Sequence, residues 1–337
     1  MTRPAFHSPA LAAAGLLLAA AAAAQPADRS HDFVFSAYKD MTLRSPDRIG
    51  RVADAAETAP AANRFDGIHA LTWASAAGEC GSETWGGVDA QPVAEANMAD
   101  LARAGIGYIL SVGGPAGPFT CASDAGFERF LIRYTSPTLL GVDFDIDVRS
   151  SSQQIRQLVQ RMQAAQRRHP QLRFSITLAT RAASDGSRAS LDATGQEVLR
   201  AAREAGWADF FVNLKVMNYG AADPALCVVV DGRCDMAASA MQAARNVEAA
   251  HRVPLARIEL TPMIGRNEVA ANIFTPEDAL RLGRFAREQG LGGLHYRSLD
   301  RDAPCIGPAE AAAKDCHGLA GVPPGHFGRA LNPMQPP

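Results

Sequence analysis

The chain has 337 residues, of which 47% are hydrophobic and 20% are charged, and its formal net charge at pH 7 is −2. This composition is that of a globular protein long enough to bury a large core. The nearly balanced charge excludes the strongly basic character that favours nucleic acid or an anionic membrane as a partner.

The first 24 residues have the pattern of a secretory signal peptide. Arg3 supplies the positive charge, and residues 11–23 form an apolar run that is too short to span a bilayer comfortably. Ala22, Ala23 and Ala24 fit the small-residue cleavage pattern, so the mature chain is expected to begin near Gln25. An uncleaved anchor is the alternative. Cleavage predicts a secreted or periplasmic protein.

Strand-like and helix-like segments alternate along the rest of the chain. Short runs rich in β-branched and aromatic residues predict strands at 33–38, 67–73, 107–112, 139–147, 172–179, 210–219, 257–264 and 292–299. Helical periodicity is clearest at 93–104, 152–168, 195–205, 236–251 and 276–289. Ser150 to Ser152 and Thr275-Pro276 are suitable helix starts.

The alternation predicts a parallel sheet with right-handed crossovers. Eight strands in a chain of this length match a single-domain (β/α)₈ TIM barrel over residues 25–317. An open doubly wound sheet is the alternative, but no GxGxxG follows the first predicted strand. The tail at 318–337 is rich in glycine and proline and is predicted to be irregular.

Six cysteines in an exported chain indicate disulfides. Cys227 and Cys234 flank a segment that resembles a small hairpin, Cys305 and Cys316 are close in sequence, and Cys80 and Cys121 remain as the third pair. Other pairings stay open at this point, because six cysteines can be joined in about fifteen ways. No group of cysteines has the spacing of a zinc site, and no metal or other cofactor is expected.

The segment 139–147 carries the most informative pattern. Val142, Phe144 and Ile146 alternate with Asp143, Asp145 and Asp147, so a strand here places three carboxylates on one face. Burying them is costly without compensation, and such a row suits a site that holds a proton or stabilises positive charge. A solvated strand edge and a metal-binding row are the alternatives.

Polar motifs follow several other predicted strands, at the end of the barrel where function is expected. They are Ser111-Val112-Gly113-Gly114, Met217-Asn218-Tyr219-Gly220, Thr261-Pro262-Met263-Ile264-Gly265 and Ser298-Leu299-Asp300-Arg301-Asp302. Together with the aspartate row they resemble the family 18 glycoside hydrolases, and within them the secreted bacterial chitinase-like branch. The resemblance extends from Phe33 to about Cys305.

The resemblance implies roles for individual residues. Asp147 stands where the family has its glutamate proton donor, and the N-acetyl carbonyl of the substrate itself attacks the anomeric carbon. Asp145 would orient the acetamido group and stabilise the cationic intermediate, while Asp143 would tune the charge of Asp145. Tyr219 would donate a hydrogen bond to the acetamido oxygen, and Met217 would line the sugar pocket.

Four positions depart from the family pattern. Asp147 replaces glutamate, Asn218 replaces aspartate, Lys215 replaces an apolar residue, and Arg297 replaces the tryptophan on which a bound sugar stacks. Lys215 and Arg297 belong to the same alternate strand set as the aspartate row, so they are predicted to neutralise it and to lower its pKa values. There is an alternative for each residue. Lys215 could extend to solvent at the end of its strand, Arg297 could lie on the surface, and Tyr219 could belong to the core.

Several aromatic and polar residues near the strand ends are further candidates for sugar binding. Trp85, in a glycine-rich loop, is a candidate stacking residue, and Tyr38 at the end of the first strand is a candidate for lining the pocket. Arg266 and Asn267 are candidates for hydrogen bonds to sugar or for capping a helix. Trp73 is a weaker stacking candidate, and His295 is interpreted as a core histidine.

Two function classes follow from these residues. The first is a chitinase-like hydrolase of β-1,4-linked N-acetylglucosamine oligomers with weakened activity. The second is a catalytically degraded lectin that binds chitin-type or peptidoglycan-type sugar, where Arg297 would favour a ligand with a carboxylate. In both cases the partner is an N-acetylglucosamine-containing glycan, the protein is expected to be a monomer, and neither nucleic acid nor a membrane is a partner.

Overall fold

A computed structural model describes Met1 and residues 32–43, 68–146, 150–307 and 312–333. Eight parallel strands form a closed barrel, because each strand pairs with its neighbours in sequence and the first pairs with the last. The strands are β1 Val34–Asp40, β2 Ala70–Glu79, β3 Gly107–Gly113, β4 Leu139–Asp145, β5 Arg173–Ala179, β6 Phe211–Lys215, β7 Ile258–Thr261 and β8 Gly293–Arg297. The predicted (β/α)₈ barrel is confirmed.

Seven α-helices are present in the described part of the chain. They are α1 Ala90–Ala104, α2 Asp124–Arg133, α3 Ser152–Arg168, α4 Ala193–Glu204, α5 Met236–His251, α6 Pro276–Glu288 and α7 His326–Leu331. Ser151 and Thr275 form capping boxes with Gln154 and Asp278, which confirms both predicted helix starts. Among the described residues, no helix has the length and apolar character that crossing a membrane requires.

The most notable differences from the predicted elements involve two strands and two helices. β2 begins at Ala70 and runs on to Glu79, whereas β6 already ends at Lys215. Helix α2 was not predicted, although Ser123 caps it by accepting a hydrogen bond from the Gly126 amide. Helix α7 lies in the tail that was predicted to be irregular, so that prediction is wrong for His326–Leu331. The predicted signal segment lies outside the described residues.

The two faces of the barrel strands meet different surroundings. On the outer face Phe144 stacks on Phe127 of α2 and on Phe174 of β5, with ring centroids 6.0 and 6.3 Å apart. The inner face is polar, whereas barrel interiors are usually filled by branched aliphatic side chains. Polar groups in the lumen need hydrogen-bond partners there, and the strands supply them to one another.

A buried charge cluster occupies the lumen near the amino-terminal ends of the strands. Arg173 donates from Nε to Glu259 at 2.6 Å and from a terminal nitrogen to the Gly292 carbonyl at 2.7 Å, and His295 lies 3.5 Å from the other Glu259 oxygen. Ser36 makes a 2.7 Å hydrogen bond with Nδ1 of His295. Burial alone would raise the pKa of Glu259, but Arg173 and His295 outweigh burial and lower it to about 2.

The three disulfides have the pairing favoured by the sequence. They are Cys80–Cys121, Cys227–Cys234 and Cys305–Cys316. Each follows the carboxyl end of a barrel strand, after β2 and β3, after β6, and after β8. All three therefore fasten the loops around the same mouth of the barrel.

We expect Glu259→Gln to lower the free energy of unfolding by about 3 kcal/mol or more, because it leaves a buried guanidinium without its charged partner. Denaturant unfolding of the purified protein measures the loss. Glu128→Gln is the matched control, since Glu128 contacts Arg168 at 3.3 Å and His169 at 2.9 Å near the surface, where an ion pair is worth about 1 kcal/mol or less. Equal losses in the two variants would contradict the cluster's structural role.

Candidate functional site

The aspartate row lies on the inner face of the barrel. Asp143 is buried in the lumen, Asp145 ends β4 at the mouth, and the intervening Phe144 packs outward against the helices. The predicted orientation is therefore confirmed for these two carboxylates. Asp147, the predicted proton donor, lies outside the described residues.

Four hydroxyl groups surround the carboxylate of Asp143. Thr177 donates to it at 2.6 Å, Ser111 at 2.8 Å, Tyr38 at 2.9 Å and Ser175 at 3.3 Å. Register explains two of them, because Ser111 and Ser175 lie opposite Asp143 on the neighbouring strands. Hydroxyl donors rather than cations therefore compensate the burial of Asp143, and the prediction of charge neutralisation is wrong at this residue.

The pKa of Asp143 is raised to about 6. Burial is the main cause, and the negative charge of Asp145 adds to it, while the hydroxyl hydrogen bonds act in the opposite direction. The expected lowering of pKa in the row is thus reversed at Asp143. The same burial also raises the pKa of Tyr38 well above its ordinary value.

Lys215 binds Asp145 across the mouth. Its Nζ lies 2.6 Å from Oδ1 of Asp145, and the two side chains are 24% and 11% exposed. Asn213, two residues earlier on the same face of β6, donates to the Tyr38 hydroxyl at 3.0 Å and to Thr177 at 2.8 Å. The predicted contact between Lys215 and the aspartate row is confirmed, and the alternative in which Lys215 extends to solvent is excluded by the direct ion pair.

The glycine pair after β3 makes room for Asp145. A Cβ atom on Gly114 would overlap the Asp145 carboxylate, and one on Gly113 would overlap the Asp145 backbone oxygen. Both glycines also have positive φ angles, 90° at Gly113 and 59° at Gly114. The Ser-x-Gly-Gly motif thus has two functions, because Ser111 donates to Asp143 while the glycines let β3 approach Asp145.

Arg297 also faces the mouth, but it does not contact the described carboxylates of the aspartate row. It ends β8 two residues after His295, and its guanidinium lies 3.8 Å from Glu268. The prediction that Arg297 neutralises the row is therefore wrong for Asp143 and Asp145. Glu268 belongs to the loop after β7, a segment whose position the strand pattern does not predict.

Asn218 and Asn267 organise the loops beside Arg297. Asn218 has a left-handed φ of 54°, donates from its side chain to Glu268 at 2.8 Å and accepts from the Val269 amide at 3.1 Å. Asn267 is buried, donates to the Met263 carbonyl at 2.8 Å and accepts from the Asn218 amide at 3.2 Å. The predicted sugar contact of Asn267 is wrong, because loop backbone occupies its amide group. Sugar binding by Asn218 remains a prediction.

Two of the three tryptophans, both considered above as stacking residues, belong to the core. Trp73 and Trp85 are fully buried, and Trp85 donates from Nε1 to the Tyr134 hydroxyl at 2.8 Å. The predicted stacking of Trp85 on a sugar is therefore wrong. Arg266 is partly exposed and donates to the Gly318 carbonyl at 3.1 Å, so it fastens the tail to the mouth.

Met217 and Tyr219 follow the end of β6 and are buried. Within the described ranges the Tyr219 hydroxyl has no hydrogen-bond partner, and burial raises its pKa. A buried hydroxyl without a partner is costly, which is consistent with a site that a ligand completes. The acetamido role of Tyr219 and the pocket-lining role of Met217 remain predictions.

We expect Asp143→Asn to change how stability depends on pH. Because the folded state raises the pKa of Asp143 from 3.8 to about 6, the protonated carboxyl favours folding. That contribution is fully present below about pH 4 and is lost as the pH rises through about 6. The unfolding free energy of the unmodified protein should therefore fall relative to the variant by roughly 2–3 kcal/mol from about pH 4 to about pH 7.

Denaturant unfolding at a series of pH values measures this difference. Asp231→Asn, at an exposed position in the turn between Cys227 and Cys234, is the matched control and should follow the unmodified protein. A pH-independent gap between the Asp143 variant and the unmodified protein would contradict the assignment of a raised pKa.

Comparison with known proteins finds solved chitinase structures with the same fold. No protein-family model and no curated protein sequence matches the chain. The catalytic domain of the hyperthermophilic chitinase from Pyrococcus furiosus matches with a TM-score of 0.67 and 22% identity, over 89% of this chain and 93% of that chain. YKL-39, solved in the presence of chitooligosaccharides, matches with a TM-score of 0.54 and 10% identity, over 90% and 100% of the two chains. The chain therefore shares the closed (β/α)₈ barrel fold of these proteins.

Proposed function

We propose that this protein is a secreted, chitinase-like member of family 18 that binds β-1,4-linked N-acetylglucosamine oligomers and cleaves them slowly. The observation that carries the proposal is the placement of Asp143 in the lumen and of Asp145 at the barrel mouth, with Lys215 bound to Asp145 at 2.6 Å. Fold similarity supports the ligand class, because a structure of the Pyrococcus furiosus chitinase contains chito-oligosaccharides.

The chemistry of the proposed reaction uses the acetamido group of the substrate. Asp147 would give its proton to the glycosidic oxygen as the bond to the anomeric carbon breaks, while the acetamido carbonyl oxygen forms a new bond to that carbon. Asp145 would accept the acetamido N–H and stabilise the oxazolinium cation. Water would then give a proton to Asp147 and bond to the anomeric carbon through its oxygen, as the bond between that carbon and the acetamido oxygen breaks and the acetamido group is restored.

The ion pair between Lys215 and Asp145 disfavours formation of the oxazolinium cation. A carboxylate stabilises a cation best when it is free and correctly placed beforehand. The Lys215 ammonium engages one oxygen of Asp145 and places another positive charge beside the future oxazolinium. Positive charge beside a developing cation is unfavourable, and more so in a partly buried site.

The identity of the proposed acid, Asp147, is a second reason to expect slow cleavage. An aspartate at position 147 is shorter than glutamate by one C–C bond of about 1.5 Å. A misplacement of about 1 Å costs on the order of 100-fold in rate. Both effects act on cleavage and leave binding of the oligomer intact.

The ion pair also favours the second candidate, a lectin that binds the same oligomers without cutting them. The two candidates share the ligand and the site and differ only in whether Asp147 transfers a proton. A rate that depends on Asp147 supports the slow enzyme, whereas binding without such a rate supports the lectin.

We expect the combined substitution Lys215→Met, Asp147→Glu and Arg297→Trp to raise hydrolysis at least about 100-fold, because it frees Asp145 and restores the reach of the acid. A fluorogenic N-acetylglucosamine oligomer assayed from pH 4 to pH 8 measures the gain. Asp147→Ala should abolish any rate of the unmodified protein, and calorimetry should still detect binding of the oligomer.

Arg167→Met is the matched control, since Arg167 is exposed at the carboxyl end of α3, at the opposite end of the barrel from the aspartate row. This variant should behave like the unmodified protein. Turnover by the unmodified protein at ordinary enzyme rates would contradict the inhibitory role of Lys215. Absence of binding to any N-acetylglucosamine oligomer would reject both candidates.

A further inference from the structure

Arg297 presents unused hydrogen-bond donors at the mouth of the barrel. Its side chain is 37% exposed, and among the described residues its guanidinium makes no hydrogen bond. The carboxylate of Glu268, at 3.8 Å, is beyond hydrogen-bond distance. A guanidinium carries five donors in a planar fork, so most of its binding capacity is available to a ligand.

Two other arginines in the carboxyl-terminal half of the chain already donate hydrogen bonds to protein groups. Arg281 binds both oxygens of Asp235, at 2.9 and 3.1 Å. Arg301 is buried and donates to the carbonyls of Ile264 and Arg266, at 3.0 and 2.6 Å. Arg297 differs from them because, within the described residues, its guanidinium has no hydrogen-bond acceptor.

A hydrogen bond from Asn218 holds Glu268 beyond hydrogen-bond distance of Arg297. Its other carboxylate oxygen accepts a 2.8 Å hydrogen bond from the side chain of Asn218, and Asn218 is itself fixed by the Val269 and Asn267 contacts. Two other cations at this mouth are each bound to an aspartate, Lys215 to Asp145 and Lys39 to Asp300, both at 2.6 Å. Arg297 differs from these two because its described partner, Glu268, lies at 3.8 Å and leaves its hydrogen-bond donors unused.

We propose that Arg297 binds a carboxylate carried by the glycan, so that the preferred ligand is an N-acetylglucosamine oligomer in which the adjoining sugar is acidic. This inference rests on the proposed function, which places such an oligomer at the mouth. A carboxylate matches the guanidinium fork with two parallel hydrogen bonds, which a neutral sugar hydroxyl cannot reproduce. The lactyl ether of muramic acid and a uronic acid both supply this chemistry.

Calorimetric titration with three tetrasaccharides tests the inference. They are the neutral N-acetylglucosamine tetramer, the alternating N-acetylglucosamine–N-acetylmuramic acid tetramer, and the alternating N-acetylglucosamine–glucuronic acid tetramer. At least one acidic ligand should bind about tenfold or more tightly than the neutral one. The acidic ligand that gains affinity identifies the source of the carboxylate.

Two variants with opposite effects isolate Arg297. Arg297→Gln should weaken the favoured acidic ligand about tenfold and leave the neutral tetramer within about twofold. Glu268→Gln should strengthen the acidic ligand, because it removes a competing negative charge while an amide oxygen can still accept from Asn218. Arg167→Gln, at an exposed position on α3, is the matched control and should change neither affinity.

The outcomes separate this inference from the proposed function. Binding of the neutral tetramer with no preference for either acidic one, or an Arg297→Gln variant that keeps the preference, would overturn the inference and leave the proposed function intact. Failure of all three ligands to bind would overturn both. Methyl esterification of the favoured ligand should remove its advantage, and retention of the advantage would likewise count against Arg297.

Discussion

The arrangement of residues inside the barrel depends on one carboxylate, that of Asp143, which is buried in the middle of the lumen. Asp143 has little access to water, so its lone pairs require donors from the protein. Tyr38 on β1, Ser111 on β3 and Thr177 on β5 supply them at 2.6–2.9 Å. Because these donors come from three strands, the stabilisation of Asp143 depends on the alignment of those strands around the polar lumen.

The carboxylate of Asp145, which lies nearer to solvent than that of Asp143, is stabilised in a different way. Asp145 is partly exposed and is compensated by the Lys215 ammonium at 2.6 Å. Under the proposed function, this ion pair keeps the side chains of a sugar site in place and changes its electrostatics. The lysine then opposes the build-up of positive charge that cleavage requires and does not oppose binding of a neutral sugar. Binding and catalysis are therefore separable under this proposal.

Much of the fold and part of the site could be predicted from the sequence. Strand alternation placed Asp143 and Asp145 on the lumen face, and the layered order of a barrel placed Lys215 within reach of them. The hydroxyl compensation of Asp143 was missed, because serine and threonine in strands give no distinctive pattern. The partner of Arg297 was missed because it depends on a loop whose course is set by the left-handed conformation of Asn218. Trp85 was misassigned because an aromatic residue in a glycine-rich loop has the same pattern whether it is buried or exposed.

The most direct test of the central claim is a crystal structure of the protein with the N-acetylglucosamine tetramer bound. The account predicts that one acetamido group lies between Tyr219 and Asp145, that Lys215 stays within hydrogen-bond distance of Asp145, and that the oligomer is intact. An oligomer bound elsewhere on the surface would contradict the assignment of the site. An oligomer in the site with Lys215 displaced from Asp145 would contradict the claim that this ion pair restrains the chemistry.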